Sequence, residues 1–246
     1  MNLVWQERFK LRTYDVDFRN SMKISSLFNF MQEAAANSAS SLGFGYDQMV
    51  SQQLFWVISR AKIEFTSFPT LGEEIIIETW PRTIDKLFAI RDFIIYNQNG
   101  GEIARATTSW LMINGTNMRP QRLNGNGITV STFEEKVAIK ALCEKLEATN
   151  EMNTETINTV KIGYNDIDIN QHVSNVKYVE LIFNVYPIER LRDKQITKFE
   201  INFLTESKYD DLLTIKRAEE INSDVTTFSF EAYNQNDKQI VMAIVQ

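Results

Sequence analysis

The chain has one cysteine, Cys143, and one histidine, His172, among 246 residues. A single thiol excludes an internal disulfide framework and a cysteine-based metal cluster. With one imidazole beside it, a His/Cys zinc site cannot be built within the chain either, so neither metal nor cofactor is expected. Nowhere is there a run near the roughly 20 apolar residues that span a bilayer, so no membrane insertion is expected. The stretch "MNLVWQERFKLRTYDVDFRN" has no apolar h-region and no Ser/Arg-rich transit character, which gives a cytoplasmic location as the expectation. Positive charge is also short: 26 Lys and Arg against 32 Asp and Glu leave a net charge of −6. That argues against a nucleic-acid partner, which needs a basic face to neutralise phosphates. What remains, 43% hydrophobic and 24% charged, is ordinary for a globular protein. The length suits one large domain or two of about 120 residues.

The chain reads as two similar halves. In "KISSLFNFMQEAAANSASSLG", Ile24, Leu27, Phe28, Met31, Ala35 and Ala39 recur at three- and four-residue steps, which predicts a helix. Ser25 or Ser26 is available to cap it, and Gly43 to end it. Four strand-like stretches follow: "FWVISRAKIEFTSF", "EEIIIETWPRT", "LFAIRDFIIYNQNGG" and "EIARATTSWLMIN". "NQNGG" is a hairpin signal, since Asn-Gly tolerates the positive φ of a tight turn. The second half repeats the order. "SNVKYVELIFNVY" predicts a helix with Ser174 as N-cap and Val176, Val179 and Phe183 on one stripe. The strands "ITKFEINFLTES", "DDLLTIKRAEE", "VTTFSFEAYNQND" and "KQIVMAIVQ" follow. Without gaps, Ile63 falls on Ile201, Phe65 on Phe203, Glu73 on Asp211, Ile75 on Leu213 and Ile77 on Ile215. A duplicated helix-plus-antiparallel-sheet unit is an α+β architecture. The expected division is 1–122, a linker 123–155, and 156–246. In the linker "NGNG" reads as a loop, and Ser131 or Thr132 with Glu134 or Glu135 as a capping box opening a helix to about Ala148. Cys143 in that helix is read as a passive thiol.

The only histidine lies in "NDIDINQHVSNVKYVE". Asp168, Asn170 and His172 alternate, so in an extended segment their polar ends would converge, with Ile167, Ile169 and Val173 turned to the core. A helix N-terminus follows at about Ser174, where unpaired N–H groups suit a developing oxyanion. Imidazole, amide, carboxylate and N–H groups together fit acyl transfer. The competing reading is structural, because Asp and Asn before a helix are common turn and cap residues. Ser174, with no second histidine to activate it, reads as a cap.

The same stretch resembles the signature of the acyl-acyl-carrier-protein thioesterases, D-x-D-x-N-Q-H-V-x-N-x-x-Y. "INFLTESKYDD" is similar to that family's stretch around a catalytic glutamate. "FNFMQEAAANSA", "WVISRAKIEF" and "GEEIIIETWPR" extend the likeness over nearly the whole chain. The resemblance implies a tandem (double) hotdog fold and hydrolysis of fatty acyl-acyl carrier protein to free fatty acid, in fatty acid biosynthesis. It puts Asp168, Asn170, His172 and Glu206 on the catalytic positions. Many plant members carry Cys after that glutamate; this chain has Ser207, which leaves direct attack by water. Glu206 would then activate water with His172 assisting, the two being interchangeable at this level. Asn170 and the helix N-terminal N–H groups would hold the oxyanion, and Asp168 would orient Asn170 or His172.

The first half has no matching set. "DVDFRNSMKI" lacks histidine, and the gapless pairing puts Phe68 opposite Glu206. The resemblance makes the first half the acyl-pocket side; Phe28 and Met31 are candidates to face the tail or simply to pack the core. The expected partner is acyl carrier protein, acidic as a class, which needs a local basic surface. Arg8, Lys10, Arg12 and Lys177 are candidates, the first three reading equally as a solvated strand face. Two alternatives stand beside this: a thioesterase of the same fold acting on coenzyme A esters, and a non-catalytic acyl-binding or sensing module. A monomer and a homodimer both fit.

Overall fold

The computed structural model describes residues 2–124, 129–147, 154–193, 195–222 and 225–246. The chain divides into two compact units, Met1–Cys143 and Glu144–Gln246. Among the described residues no helix is long and apolar enough to cross a membrane.

In the first unit β1 (Trp5–Lys10) and a 3-10 turn (Thr13–Asp15) lead into α1 (Ile24–Ser41) and the short α2 (Tyr46–Val50). Then come β2 (Leu54–Phe65), β3 (Glu74–Asp85), β4 (Phe88–Asn97), β5 (Glu102–Asn114) and the two-residue β6 (Arg119–Pro120). The sheet is antiparallel throughout, in the order β1-β3-β4-β5-β2, with β6 on β5. The apolar stripe of α1 forms its buried face; Leu27, Phe28 and Met31 are at most 2% exposed. Each such side chain contributes about 1.5–3 kcal/mol by leaving water. The helix starts two or three residues earlier than a serine cap would place it. Lys23 is the N-cap, and Ser25 and Ser26 are buried within the first turn. Gly43 ends the helix as expected, at φ 85°, with its N–H on Ser40 O.

The second unit repeats these elements: β7 (Glu155–Lys161), a 3-10 turn (Tyr164–Asp166), α3 (Asn175–Asn184), α4 (Ile188–Asp193), β8 (Lys198–Phe203), β9 (Leu212–Asn222), β10 (Val225–Asn234) and β11 (Gln239–Val245). Its antiparallel order, β8-β11-β10-β9-β7, matches that of the first unit, read from β2 to β1. The repeat extends to the register. Ile63 pairs with Ala106 and Ile201 with Ala243; Thr79 pairs with Phe93 and Arg217 with Phe230; Phe9 pairs with Ile75 and Val160 with Leu213. Even the hairpin turns agree. Asn97 Oδ1 takes the N–H groups of Asn99 and Gly101, and Asn234 Oδ1 those of Asn236 and Lys238. Asp237, at φ 55°, occupies the left-handed position that Gly100 holds at φ 83°.

The helix expected from Ser131 to Ala148 is absent from its described part, 131–147. Residues 133–143 instead form a strap over one face of the first sheet, and 129–143 belong to the first unit rather than to a linker. The strap's backbone groups find side-chain partners on the sheet. Trp80 Nε1 donates to Lys136 O (2.9 Å), Arg82 Nη1 to Ile139 O (2.8 Å) and Arg60 Nη1 to Cys143 O (3.0 Å), while Ala138 N–H donates to Asp92 Oδ2 (2.8 Å). Glu134 takes the Thr83 hydroxyl instead of capping a helix. Tertiary hydrogen bonds therefore replace the internal ones that helix propensity would have supplied. Cys143 is buried with its Sγ 3.1 Å from Thr107 O, a packed thiol as read, though not on a helix. Of the "NGNG" loop only Asn124 is described; Gly125–Gly127 lie outside the described residues, as does Ala148.

Candidate active site

The segment from Gly163 to Ser174 is not an extended strand but a closed loop. Its 3-10 turn ends at the buried Asp166, whose carboxylate takes the N–H of Gly163 and pairs with Lys177 at 2.9 Å. Ile167 and Val173 form an antiparallel bridge. Between them the chain reverses through Gln171 at φ 65°, with Asp168 N–H donating to His172 O. Asp168 shapes this reversal: its Oδ1 accepts the N–H of Asn170 (2.8 Å) and of His172 (3.3 Å). The reversal changes which side chains face inward. Val173 is buried as expected, but Ile169 is 78% exposed, because a tight turn breaks strand alternation. Asp168 touches backbone here and neither the Asn170 carboxamide nor the imidazole. Asn170 is exposed, and its side chain makes no hydrogen bond among the described residues.

Glu206 lies just past the end of β8, 34 residues along the chain, yet its Oε2 sits 3.2 Å from His172 Nε2. One backbone bond explains the approach. The N–H of Val173, next to His172, donates to the carbonyl of Ser207, next to Glu206, at 2.9 Å. A second bond ties the same turn to α3, the Ser207 N–H donating to Tyr178 Oη at 3.1 Å. Burial pushes the Tyr178 hydroxyl up to about 12, so it stays a neutral phenol at this anchor. The His172 and Glu206 side chains remain 24% and 40% exposed, open enough to meet a substrate. Ser207, next to Glu206 in the chain, is fully buried.

Of the expected residues the structure brings His172 and Glu206 together, puts Asp168 behind them as the loop's brace, and leaves Asn170 on the rim. Ser174 is the N-cap of α3 but makes no side-chain capping bond. Lys177 is three-quarters buried and held by Asp166 and Glu180, its charge raised in pKa against the opposing pull of burial, which makes it a poor docking cation. Tyr178, the last residue of the quoted pattern, is a positioning residue that the sequence pattern alone does not single out. A tyrosine on the buried face of a predicted helix needs a partner for its hydroxyl, and that was the available signal. Among the described residues no group of three His, Cys, Asp or Glu side chains is placed to hold a metal ion.

The first unit contains the same loop with different side chains. Asp15 is buried and takes the Arg12 N–H; Asp17 Oδ1 takes the N–H groups of Arg19 and Ser21; Asn20 has φ 61°; Val16 bridges Met22. Met22 N–H donates to Pro69 O at 2.9 Å, as Val173 does to Ser207. Arg19, Ser21 and Phe68 therefore stand where the second unit has Asn170, His172 and Glu206. The scaffold was duplicated, and one copy sets a histidine beside a glutamate.

Comparison with known proteins agrees with this organisation. Residues 2–131 match the family model described as the acyl-ACP thioesterase N-terminal domain, and 149–246 match the C-terminal domain. A chloroplastic acyl-[acyl-carrier-protein] hydrolase of Cuphea viscosissima is 30% identical over 225 residues, covering 86% of this chain and 53% of that protein. The chain spans about half the length of the curated relatives it matches. Among solved structures, an acyl-ACP thioesterase from Bacteroides thetaiotaomicron superposes with a TM-score of 0.88 at 27% identity, covering 98% of this chain and 96% of that one. The 12:0-ACP thioesterase from Umbellularia californica gives 0.87 at 25% identity, covering 99% and 93%. The tandem hotdog fold follows from these superpositions.

Proposed function

The chain belongs to the acyl-ACP thioesterase family, and on that premise we propose that it hydrolyses the thioester of a fatty acyl-acyl carrier protein to the free acid and the carrier thiol. The observation that supports this reading is the 3.2 Å approach of His172 Nε2 to Glu206 Oε2, on a turn braced by Val173 and Tyr178.

In the proposed reaction Glu206 takes a proton from water, and the resulting hydroxyl oxygen bonds to the thioester carbon. His172, 3.2 Å from the carboxylate, fixes its orientation and shares the proton. Asn170 and the N–H groups of Asn175 and Val176 at the start of α3 receive the oxyanion, where the positive end of the helix favours negative charge. Collapse breaks the carbon–sulfur bond, and the proton passes to the departing sulfur. Asp168 acts through the loop. Cys143 and Ser207 take no part in the proposed step, both side chains being buried. An acidic carrier would meet exposed cations such as Arg8, Lys10 and Arg12 rather than Lys177.

The test is thiol release by the native protein from matched carrier-protein and coenzyme A esters of several chain lengths. Faster turnover of the carrier esters supports the proposal. Faster turnover of coenzyme A esters gives the alternative substrate, and acyl binding without hydrolysis of either gives a sensor.

A further inference from the structure

At the base of the His172 loop, within the second unit, lies a cation that local helix chemistry does not favour. Lys177 is the third residue of α3, and the first turn of a helix already carries the positive end of its dipole. Its ammonium nevertheless lies 2.9 Å from Asp166 Oδ1 and 3.3 Å from Glu180 Oε2, with the side chain 24% exposed. Burial pulls this group down, and the hydrogen bond and charge of Asp166, with Glu180, outweigh it, so the ammonium stays charged.

The first unit shows what this loop needs in order to fold. Asp15 stands where the second unit has Asp166. Its carboxylate takes the Arg12 N–H at 2.9 Å, as that of Asp166 takes Gly163 at 2.8 Å. Its carbonyl takes the Lys23 N–H at 2.8 Å, as that of Asp166 takes Ser174 at 2.9 Å. Counted from Met22 as Lys177 is from Val173, the residue matching the lysine is Ser26, which is buried and uncharged. The ammonium of Lys23 goes to Tyr14 O. The same turn therefore closes around a buried carboxylate that makes no ion pair among the described residues. What the second unit adds is negative charge. In the first, Arg19 pairs with Asp17 at 2.7 Å and Phe68 occupies the partner turn. In the second, Asn170 replaces the arginine and Glu206 the ring, and the oxyanion of the proposed reaction would add a further charge at the start of α3. An unneutralised Asp166, its carbonyl bonded to the Ser174 N–H at that same helix end, would oppose it.

We propose that Lys177 is a positioning residue for the hydrolysis: it neutralises the Asp166 carboxylate, so that the first turn of α3 can receive the negative charge of the oxyanion. This rests on the thioesterase reading and on the oxyanion lying at that helix end. Lys177 touches no reacting atom and acts through Asp166. Its loss therefore falls on the step in which charge develops and not on the binding of a neutral thioester.

The test measures kcat and KM on the best carrier-protein ester, well below the melting temperature, for native protein, Lys177→Met, Lys177→Arg and the double variant Asp166→Asn/Lys177→Met. Lys177→Gln takes the place of Lys177→Met if the latter does not fold. Lys177→Met should lower kcat about 10-fold with KM within about 2-fold of native, and Lys177→Arg, which keeps the charge, should stay within about 3-fold. The double variant has no carboxylate left to neutralise and should regain most of the lost kcat. Near-native kcat in folded Lys177→Met, a loss carried by KM, or a double variant no faster than Lys177→Met overturns the proposal. A second arm needs no turnover: calorimetry compares an alkyl phosphonate, an anion that mimics the tetrahedral oxyanion, with the primary alcohol of the same chain length. If native protein hydrolyses no ester, the thioesterase reading fails and this arm decides alone. Phosphonate binding that weakens about 10-fold in Lys177→Met and returns in the double variant, with alcohol binding unchanged, supports the role. Equal changes for both probes, or no phosphonate binding by native protein, reject it.

Discussion

Asp168 illustrates how the loop around His172 is held by a side chain bonded to backbone. Its Oδ1 receives two backbone N–H groups, so the charge matters less than the acceptor. Asp168→Asn, which retains that oxygen, should keep most of the activity. Asp168→Ala leaves both N–H groups without it and should cost about 1–3 kcal/mol in stability together with a large fall in kcat. Urea unfolding and ester kinetics on the two variants check this; equal losses in both would mean that the carboxylate charge itself is used. Ser207→Ala should change kcat/KM by less than about 3-fold, because the hydroxyl is fully buried. A large loss there would restore a covalent route. The loop that holds Asp168, Asn170 and His172 stands out in the sequence because its polar pattern is dense and local. Its geometry does not. Alternation predicted convergence along a strand, whereas the chain turns back at Gln171, a left-handed residue that no side-chain pattern announces.

At the level of elements, the site hangs on two contacts made by the turn after β8: Ser207 O with Val173 N–H, and Ser207 N–H with Tyr178 Oη. Tyr178→Phe removes the second and leaves a buried N–H without its acceptor, a cost of about 1–3 kcal/mol. The expected signature is a lower melting temperature with kcat reduced more than KM, since the position of Glu206 is loosened rather than the substrate contacts. The strap 133–143 is the comparable device in the first unit. Lys136 pairs with Glu78 beneath it, and although burial pushes the Glu78 carboxyl up, the hydrogen bonds and charge of Lys136 with those of Gln6 and Tyr96 bring it below its ordinary value. A depressed carboxyl stabilises the fold at neutral pH and loses that contribution as acid protonates it. Lys136→Met should therefore flatten the fall in stability between neutral and acid pH, as read from denaturation midpoints. An undiminished slope would place the titration elsewhere. The strap also shows why a helix was expected here and not formed: its polar backbone is met by Trp80, Arg82 and Arg60, which lie more than 50 residues away in the chain and cannot be seen from local pattern.

At the level of the molecule, the fold was legible because it was written twice. A gapless match of "KIEFTSFPTLGEEIIIETW" to "EINFLTESKYDDLLTIKRA" carries through to strand register, and it correctly paired Phe68 with Glu206. The two copies have diverged in content. The first carries Arg19, Ser21 and Phe68 on the loop and its partner turn where the second has Asn170, His172 and Glu206, and the second packs Tyr186, Phe228 and Phe230 together inside. Ser21→Ala and Phe68→Leu should accordingly leave turnover within about 3-fold of native, with Phe68→Leu costing some stability through its 4.8 Å stacking on Phe65. A large loss of rate in either would mean that both copies of the loop act in the reaction.

The central claim is that His172 and Glu206 work as one unit. The most direct measurement is kcat on the best carrier-protein ester for native protein, His172→Ala, Glu206→Gln and the double variant, each shown to be folded by circular dichroism. The account expects each single substitution to cut kcat by about 10²–10⁴ and the double to fall no further than the worse single. Near-native rates in either folded single variant, or losses that multiply in the double, would contradict it.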